Sequence, residues 1–260
     1  MGWLSGIIGG GIGAMIAGPF GAIIGAAIGA NMGGSRSTLE SARVGGLPGG
    51  FNEAQRRQML FFTAAFSMVG KLAQADGRVC EDEIAAIRRI SSEAMGLDPQ
   101  TRRYAIEILN QSKTSAESFS DYAREFGRLF SQDRDLCTFM MNFLFQVAMA
   151  DGVLHAAEER MLREAKESFR LSESIYQSLH ARYVSHRQAG SKGLNHHYQV
   201  LGVNNAADLA EIKKAYRTKA AEYHPDKIQS KGLPPEFMKF ANDKLVEINA
   251  AYEAIMAARK

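Results

Sequence analysis

The first 34 residues carry no charged side chain, and 12 of the chain's 25 glycines fall among them. A helix needs roughly 20 apolar residues to cross a hydrocarbon core, so residues 2–34 (GWLSGIIGGGIGAMIAGPFGAIIGAAIGANMGG) are long enough for a membrane span. Gly21, Gly25, Gly29 and Gly33 recur at every fourth position and share one helix face, and Gly9 with Gly13 repeats the spacing upstream. Small residues on one face let two backbones approach closely in lipid, which predicts a homodimer held by this segment; a glycine-softened span without a partner is the plainer alternative. Gly18-Pro19 offers a further reading, a hairpin, although arms of about 15 residues are short for a crossing. A single span is the favoured reading. No Lys or Arg precedes the apolar run, which argues against a cleaved signal peptide. Arg36, Arg43, Arg56 and Arg57 follow it, so the positive-inside rule places the N-terminus outside and the rest of the chain in the cytoplasm.

Residues 35–50 (SRSTLESARVGGLPGG) have the Gly, Ser and Pro content of a flexible linker, and the folded part begins near Phe51. With 46% hydrophobic and 23% charged residues over 260 positions, the chain can bury a core and is neither disordered nor collagen-like. From Phe51 to about Gln188 the apolar residues keep helical spacing, as in Leu60, Ala64, Ser67, Val69 and Leu72, and no strand-like alternation appears. The fold class is therefore all-α. A formal net charge of +3 is too mild to imply a nucleic-acid partner. Cys80 and Cys137 are the only cysteines and form no CxxC, which excludes a disulfide framework and a cysteine-rich zinc site and suits a reducing compartment.

Within 51–188 the chain repeats itself. Residues 73–83 (AQADGRVCEDE) and 148–158 (AMADGVLHAAE) share A-x-A-D-G followed by a Glu seven residues after the Asp, pairing Asp76 with Glu83 and Asp151 with Glu158. Each Asp-Gly suits a turn that closes one helix, and each following Glu suits the first turn of the next, where the helix dipole favours it. A sharper alternative is that the two turns meet and offer Asp76, Glu83, Asp151 and Glu158 to a divalent cation, although the spacing lacks the alternating oxygen ligands of an EF-hand. The duplicated turns resemble the TerB-like helical domain named for tellurite-resistance proteins, over roughly residues 55–185. Asp121, Asp133 and Asp135 show no comparable pattern and read as solvated helix ends.

A polar linker, 189–195, leads to the last block, 196–260, in which His196 and His197 read as solvated residues rather than a site. Asp208 and Glu211 form a helix start signal, and Leu209, Ile212, Tyr216, Ala220 and Tyr223 make one apolar stripe, with Lys213, Lys214 and Arg217 as a basic stripe beside it. Pro225 ends this helix near Tyr223, leaving His224-Pro225-Asp226 to project from a loop. A second helix follows Pro234-Pro235, and its Phe237, Ala241, Leu245, Ile248, Tyr252 and Ile255 are placed to pack against the first stripe as an antiparallel hairpin. No aromatic residues interleave with the cations, which disfavours nucleic acid.

This block resembles the J domain of DnaJ-type co-chaperones, matched by Tyr198-x-x-Leu201-Gly202-Val203, Ile212-Lys-x-Ala215-Tyr216-Arg217, His224-Pro225-Asp226-Lys227 and Ile248-Asn-x-Ala-Tyr252 in the family's order. The resemblance implies that Lys213, Lys214, Arg217, His224, Pro225, Asp226 and Lys227 dock on an ATP-bound DnaK-type chaperone and stimulate its ATPase, with no catalysis in this chain. There is no Gly/Phe-rich segment after the J domain and no zinc repeat, so DnaJ-type substrate binding is not implied. As a whole the order of segments is similar to membrane-anchored DnaJ-like co-chaperones of Gram-negative bacteria, which implies an inner-membrane location and membrane-associated clients. The competing reading is a metal- or stress-sensing protein whose TerB-like domain is the active part, with the J domain as a secondary output.

Overall fold

Asn52 starts the first long helix by reciprocal capping: its Oδ1 accepts from the Gln55 amide at 2.8 Å, and Gln55 Oε1 accepts from the Asn52 amide at 3.2 Å. In this computed structural model, residues 18–24, 52–75, 95, 97–188 and 193–259 are described. Gly25, Gly29, Gly33, Asp76, Cys80 and Glu83 lie outside the described residues. Every element among the described residues is helical.

Among the described residues, six helices form the first body: α1 (Glu53–Leu72), α2 (Pro99–Thr114), α3 (Phe119–Phe130), α4 (Arg134–Ala148), α5 (Ala156–Ser168) and α6 (Glu173–Gln188). From Met59 to Leu72 almost every α1 residue is buried, as expected of a helix that is apolar all round and surrounded by others. It packs against α2, α3 and α4, while α3 and α4 pack on α5 and α4 also meets α6. The Phe61 ring, fully buried, lies 5.6, 5.7 and 6.2 Å from the rings of Phe126, Phe130 and Phe139. Local capping sets the helix starts. Asp98 caps α2 through the Gln100 and Thr101 amides, and Ser118 with Asp121 forms the reciprocal cap of α3. Asp121 is thus a capping group rather than a merely solvated one, and its hydrogen bonds, chiefly from the Ser118 hydroxyl, lower its pKa to about 2.

The second body comprises α7 (Leu194–Leu201), α8 (Leu209–Glu222), α9 (Pro225–Ser230), a 3₁₀ turn (Pro235–Phe237) and α10 (Met238–Ala258). The expected hairpin of α8 and α10 is present, with Tyr216 and Tyr252 stacked at 4.2 Å, but α7 adds a third helix against α10. It begins at Leu194, inside the stretch read as linker, so His196 and His197 are half-buried helical residues rather than solvated ones. Gly202 ends α7 with φ +71°, a left-handed cap that glycine adopts without a Cβ penalty. Arg259 closes the body by donating to the Tyr198 hydroxyl at 2.7 Å and to the carbonyls of Ala207 and Asn205, each at 2.6 Å.

Two members of the expected hairpin stripe lie elsewhere. Leu209, the first residue of α8, is 45% exposed, ahead of the turns that pack. Phe237 turns away from α8 and enters the aromatic core of the first body, 5.3 Å from Phe61, 5.2 Å from Phe143 and 6.0 Å from Phe139. A 3₁₀ turn after Pro234 aims it there, where five rings bury it completely.

Of the N-terminal segment, residues 19–24 form a short helical stretch on the first body. Phe20, Ile23 and Ile24 are buried, Phe20 stacks on Tyr122 at 5.9 Å, and its amide donates to the Glu125 carboxylate at 3.3 Å. Gly21 is buried in this stretch. No helix among the described residues is long and apolar enough to cross a membrane.

Candidate functional site

The H-P-D tripeptide is made by the way α8 stops. Pro225 disfavours helical geometry in the residue before it, and His224 is accordingly extended at φ −64°, ψ 123°. The same proline has a φ suited to the first position of a helix, so H-P-D opens α9 rather than projecting from an irregular loop. Ile228 donates its amide to the His224 carbonyl at 3.1 Å, and its buried side chain anchors the turn. His224 and Asp226 are exposed, and Pro225 is half-buried between them. Asp226 stands in the first turn of α9, where the helix dipole favours a carboxylate.

Lys213, Lys214 and Arg217 are exposed on α8, as the apolar stripe on the opposite flank requires. None of these three cations, nor Asp226, forms a salt bridge to another described residue. The face is therefore solvated, charged and unneutralised, as a surface that steers a charged partner must be.

Lys227 behaves differently. Its ammonium lies 2.8 Å from the Asp135 carboxylate of α4, which Lys231 also reaches at 2.5 Å. Asp135, only 17% exposed, is thus an interdomain ion-pair residue and not a solvated helix end. Burial opposes its ionisation, but the hydrogen bonds from Lys227 and Lys231 outweigh this and hold its pKa below the usual carboxylate value. Asp133 likewise pairs with Arg57, whose Nε donates to the Lys231 carbonyl at 3.0 Å and whose guanidinium lies over the Phe130 ring. Arg57, read from sequence as a topology signal, thus holds the two bodies together.

Further along the same contact, the Asn142 amide donates to the Tyr223 hydroxyl and its oxygen accepts from the Tyr183 hydroxyl. Arg182 of α6, 4% exposed, pairs with Glu247 of α10 at 2.6 Å, and Lys244 approaches the same carboxylate at 3.3 Å. Burial pushes the Lys244 ammonium down to about 8. Burial also opposes ionisation of Glu247, yet the two cations win and hold it at about 2.

The acidic repeat is visible in its second copy. Gly152 adopts φ +96°, the left-handed turn that the Asp-Gly step anticipates. Asp151 accepts from the Val153 amide at 2.8 Å, and Glu158 accepts from the His155 amide at 2.9 Å in the first turn of α5. Both carboxylates thus serve the local backbone. Asp76 and Glu83, the other half of the suggested cation site, lie outside the described residues.

Sequence reasoning missed Asp135, Asn142 and Phe237. From sequence Asp135 reads as a solvated helix end, and Phe237 falls in the stripe of the hairpin's second helix.

Comparison with known proteins agrees with this division into two bodies. The family described as tellurite resistance protein TerB matches residues 62–181, and the DnaJ domain family matches residues 196–260. Co-chaperone protein DjlA of Photobacterium profundum is 35% identical over 233 residues, covering 82% of this chain and 84% of that one. The chain belongs to the DjlA co-chaperone family. The DjlA of Coxiella burnetii is 32% identical across 100% of this chain and 99% of its own, and that of Yersinia pseudotuberculosis is 33% identical over 80% and 82%. No solved structure matches. The DjlA-family chain therefore joins a TerB-like body, α1 to α6, to a J domain, α7 to α10.

Proposed function

We propose that this chain docks on an ATP-bound DnaK-type chaperone and stimulates its ATP hydrolysis, using Lys213, Lys214 and Arg217 for electrostatic steering and His224, Pro225 and Asp226 as the contact that follows. The observation that carries this reading is that these charges are exposed and unpaired, whereas Lys227 and Lys231 beside them are engaged by Asp135. The hydrolytic chemistry stays in the partner's nucleotide site, so the chain regulates an ATPase and is not itself an enzyme.

Residues 1–34 would hold the protein at the bacterial inner membrane as a single span, with both bodies in the cytoplasm and the chaperone recruited to membrane-associated clients. The charge-free length and the arginines that follow it support this part of the reading. Insertion takes Phe20 from the Tyr122 ring into lipid. The face of Gly21, Gly25, Gly29 and Gly33 would pair two copies, placing two J domains near one client and raising their effective concentration.

The test is single-turnover ATP hydrolysis by a DnaK-type chaperone with the full chain in lipid vesicles, against the chain carrying His224→Gln. Stimulation by the parent and its loss in the variant is expected; equal rates with and without the parent chain overturn the reading. For the dimer, Gly25→Leu with Gly29→Leu should abolish crosslinking between copies in vesicles, and undiminished crosslinking would rule it out.

A further inference from the structure

The residues immediately flanking H-P-D are both held by one helix of the other body. Tyr223, just before the tripeptide, shares a hydrogen bond with Asn142, and Lys227, just after it, is paired with Asp135 at 2.8 Å. Asp135 and Asn142 stand seven residues apart on α4, two helical turns, and so occupy the same face. We propose that this face of α4 positions the H-P-D turn for its chaperone partner, with Asp135 and Asn142 as positioning residues acting through Lys227 and Tyr223.

The geometry gives each contact a separate part. Asp135 takes Lys227 and Lys231 on one carboxylate oxygen, and these belong to the last turn and the C-terminal cap of α9. The C-terminal part of that short helix is therefore tied to a single point on α4. Six residues make too short a helix to be stable by itself, so its shape depends on such ties and on the buried Ile228. Asn142 is fully buried, and the Tyr183 hydroxyl donates to its oxygen, which fixes the amide so that its N–H group points to Tyr223. Between these two holds, Pro225 has a locked φ, and only His224 and Asp226 keep freedom. Their side chains are exposed, so the turn is fixed from behind while its front stays open. A turn ordered in advance loses less conformational entropy when a partner binds, and the benefit is seen as tighter docking rather than faster chemistry.

The proposal rests on the co-chaperone reading above, and two measurements separate the fates of the two. Hydrogen exchange of the Ile228, Lys231, Gly232 and Leu233 amides, which donate the backbone hydrogen bonds of α9 and its C-terminal cap, is followed in the full chain alone, for the parent, Asp135→Ala, Asn142→Ala and Asp135→Glu. The chain concentration giving half-maximal ATPase stimulation is then measured for the same set. Asp135→Ala and Asn142→Ala should speed exchange at these four amides several-fold and raise the half-maximal concentration about five- to tenfold, with the maximal rate little changed. Asp135→Glu should restore most of both. Asp135 lies at the rim of the contact, so its variants test the idea without opening the core, and circular dichroism confirms that each remains folded. Exchange and half-maximal concentration unchanged in both alanine variants would overturn the proposal. A lower half-maximal concentration for Asp135→Ala would also overturn it, by showing that the contact withholds Lys227. No stimulation even by the parent, with exchange altered as expected, would sink the co-chaperone reading and leave α4 as the support of the turn.

Discussion

On the outward side of the J domain, Lys213, Lys214, Arg217, His224 and Asp226 stand exposed; on its inward side, Tyr223, Lys227, Lys231, Phe237 and Glu247 each have a named partner on the TerB-like body. The two sides share α8 and the turn after it, yet obey opposite rules. The outward side forms no salt bridge to another described residue and leaves its charge exposed. The inward side pairs Lys227, Lys231 and Glu247 with opposite charges and fills the centre with aromatic rings, as permanent interfaces do. Exposed charge and interdomain attachment are thus separated across one short helical module.

The comparison breaks most easily at Phe237. Phe237→Ala removes a fully buried ring from among five others and should cost about 3–5 kcal/mol in urea unfolding, because the surrounding rings cannot collapse to fill the space. A cost below about 1 kcal/mol would mean that the inward side is not a true core. Tyr223→Phe is the next largest. It leaves the buried Asn142 amide without its acceptor and should cost about 1–3 kcal/mol by the same measurement.

Lys244→Met sharpens the picture with the opposite sign. Its ammonium is charged at a cost, mainly from burial, while Arg182 already pairs Glu247, so methionine should leave stability unchanged or raise it by about 1 kcal/mol. The pH dependence has a definite sign. The lysine pKa falls from 10.5 when unfolded to about 8 when folded, so the unfolded chain binds more protons between those values. Parent stability relative to that of the Lys244→Met protein should therefore rise with pH from about 8 toward 10.5, and the difference in urea midpoints across this range decides it. The smallest effect belongs to the outward side. Lys213→Ala, Lys214→Ala and Arg217→Ala together should shift stability by no more than about 0.5 kcal/mol. The same triple variant should weaken ATPase stimulation most at low salt, where unscreened charges steer best.

How much of this was legible follows the same division. The outward side could be read because its signals are local. Asp208 with Glu211 starts α8, the 3–4 spacing sets which flank is charged, and Pro225 ends the helix next to His224. The Asp-Gly turn at 151–152 was legible for the same reason, since a left-handed glycine and a capping carboxylate act within a few residues. The inward side was not. Asp135 and Lys231 are 96 positions apart, Arg182 and Glu247 65, and nothing near Asp135 distinguishes it from an ordinary first-turn acid. Phe237 fitted the hairpin stripe by spacing, yet the 3₁₀ turn rotates it toward the other body.

The sequence alone determined the all-helical class, the order of the TerB-like and J segments, the helix boundaries set by caps and prolines, and the charged face of α8. These depend on interactions among residues within one or two helical turns, which the order of residues states directly. Only the tertiary structure decided that α7 completes the J domain, that Phe237 belongs to the TerB-like core, and that Asp135 and Asn142 lie behind the H-P-D turn. Those contacts join residues distant along the chain, and their free energy arises from burying rings and pairing buried charges, which takes effect only once both bodies are folded and docked.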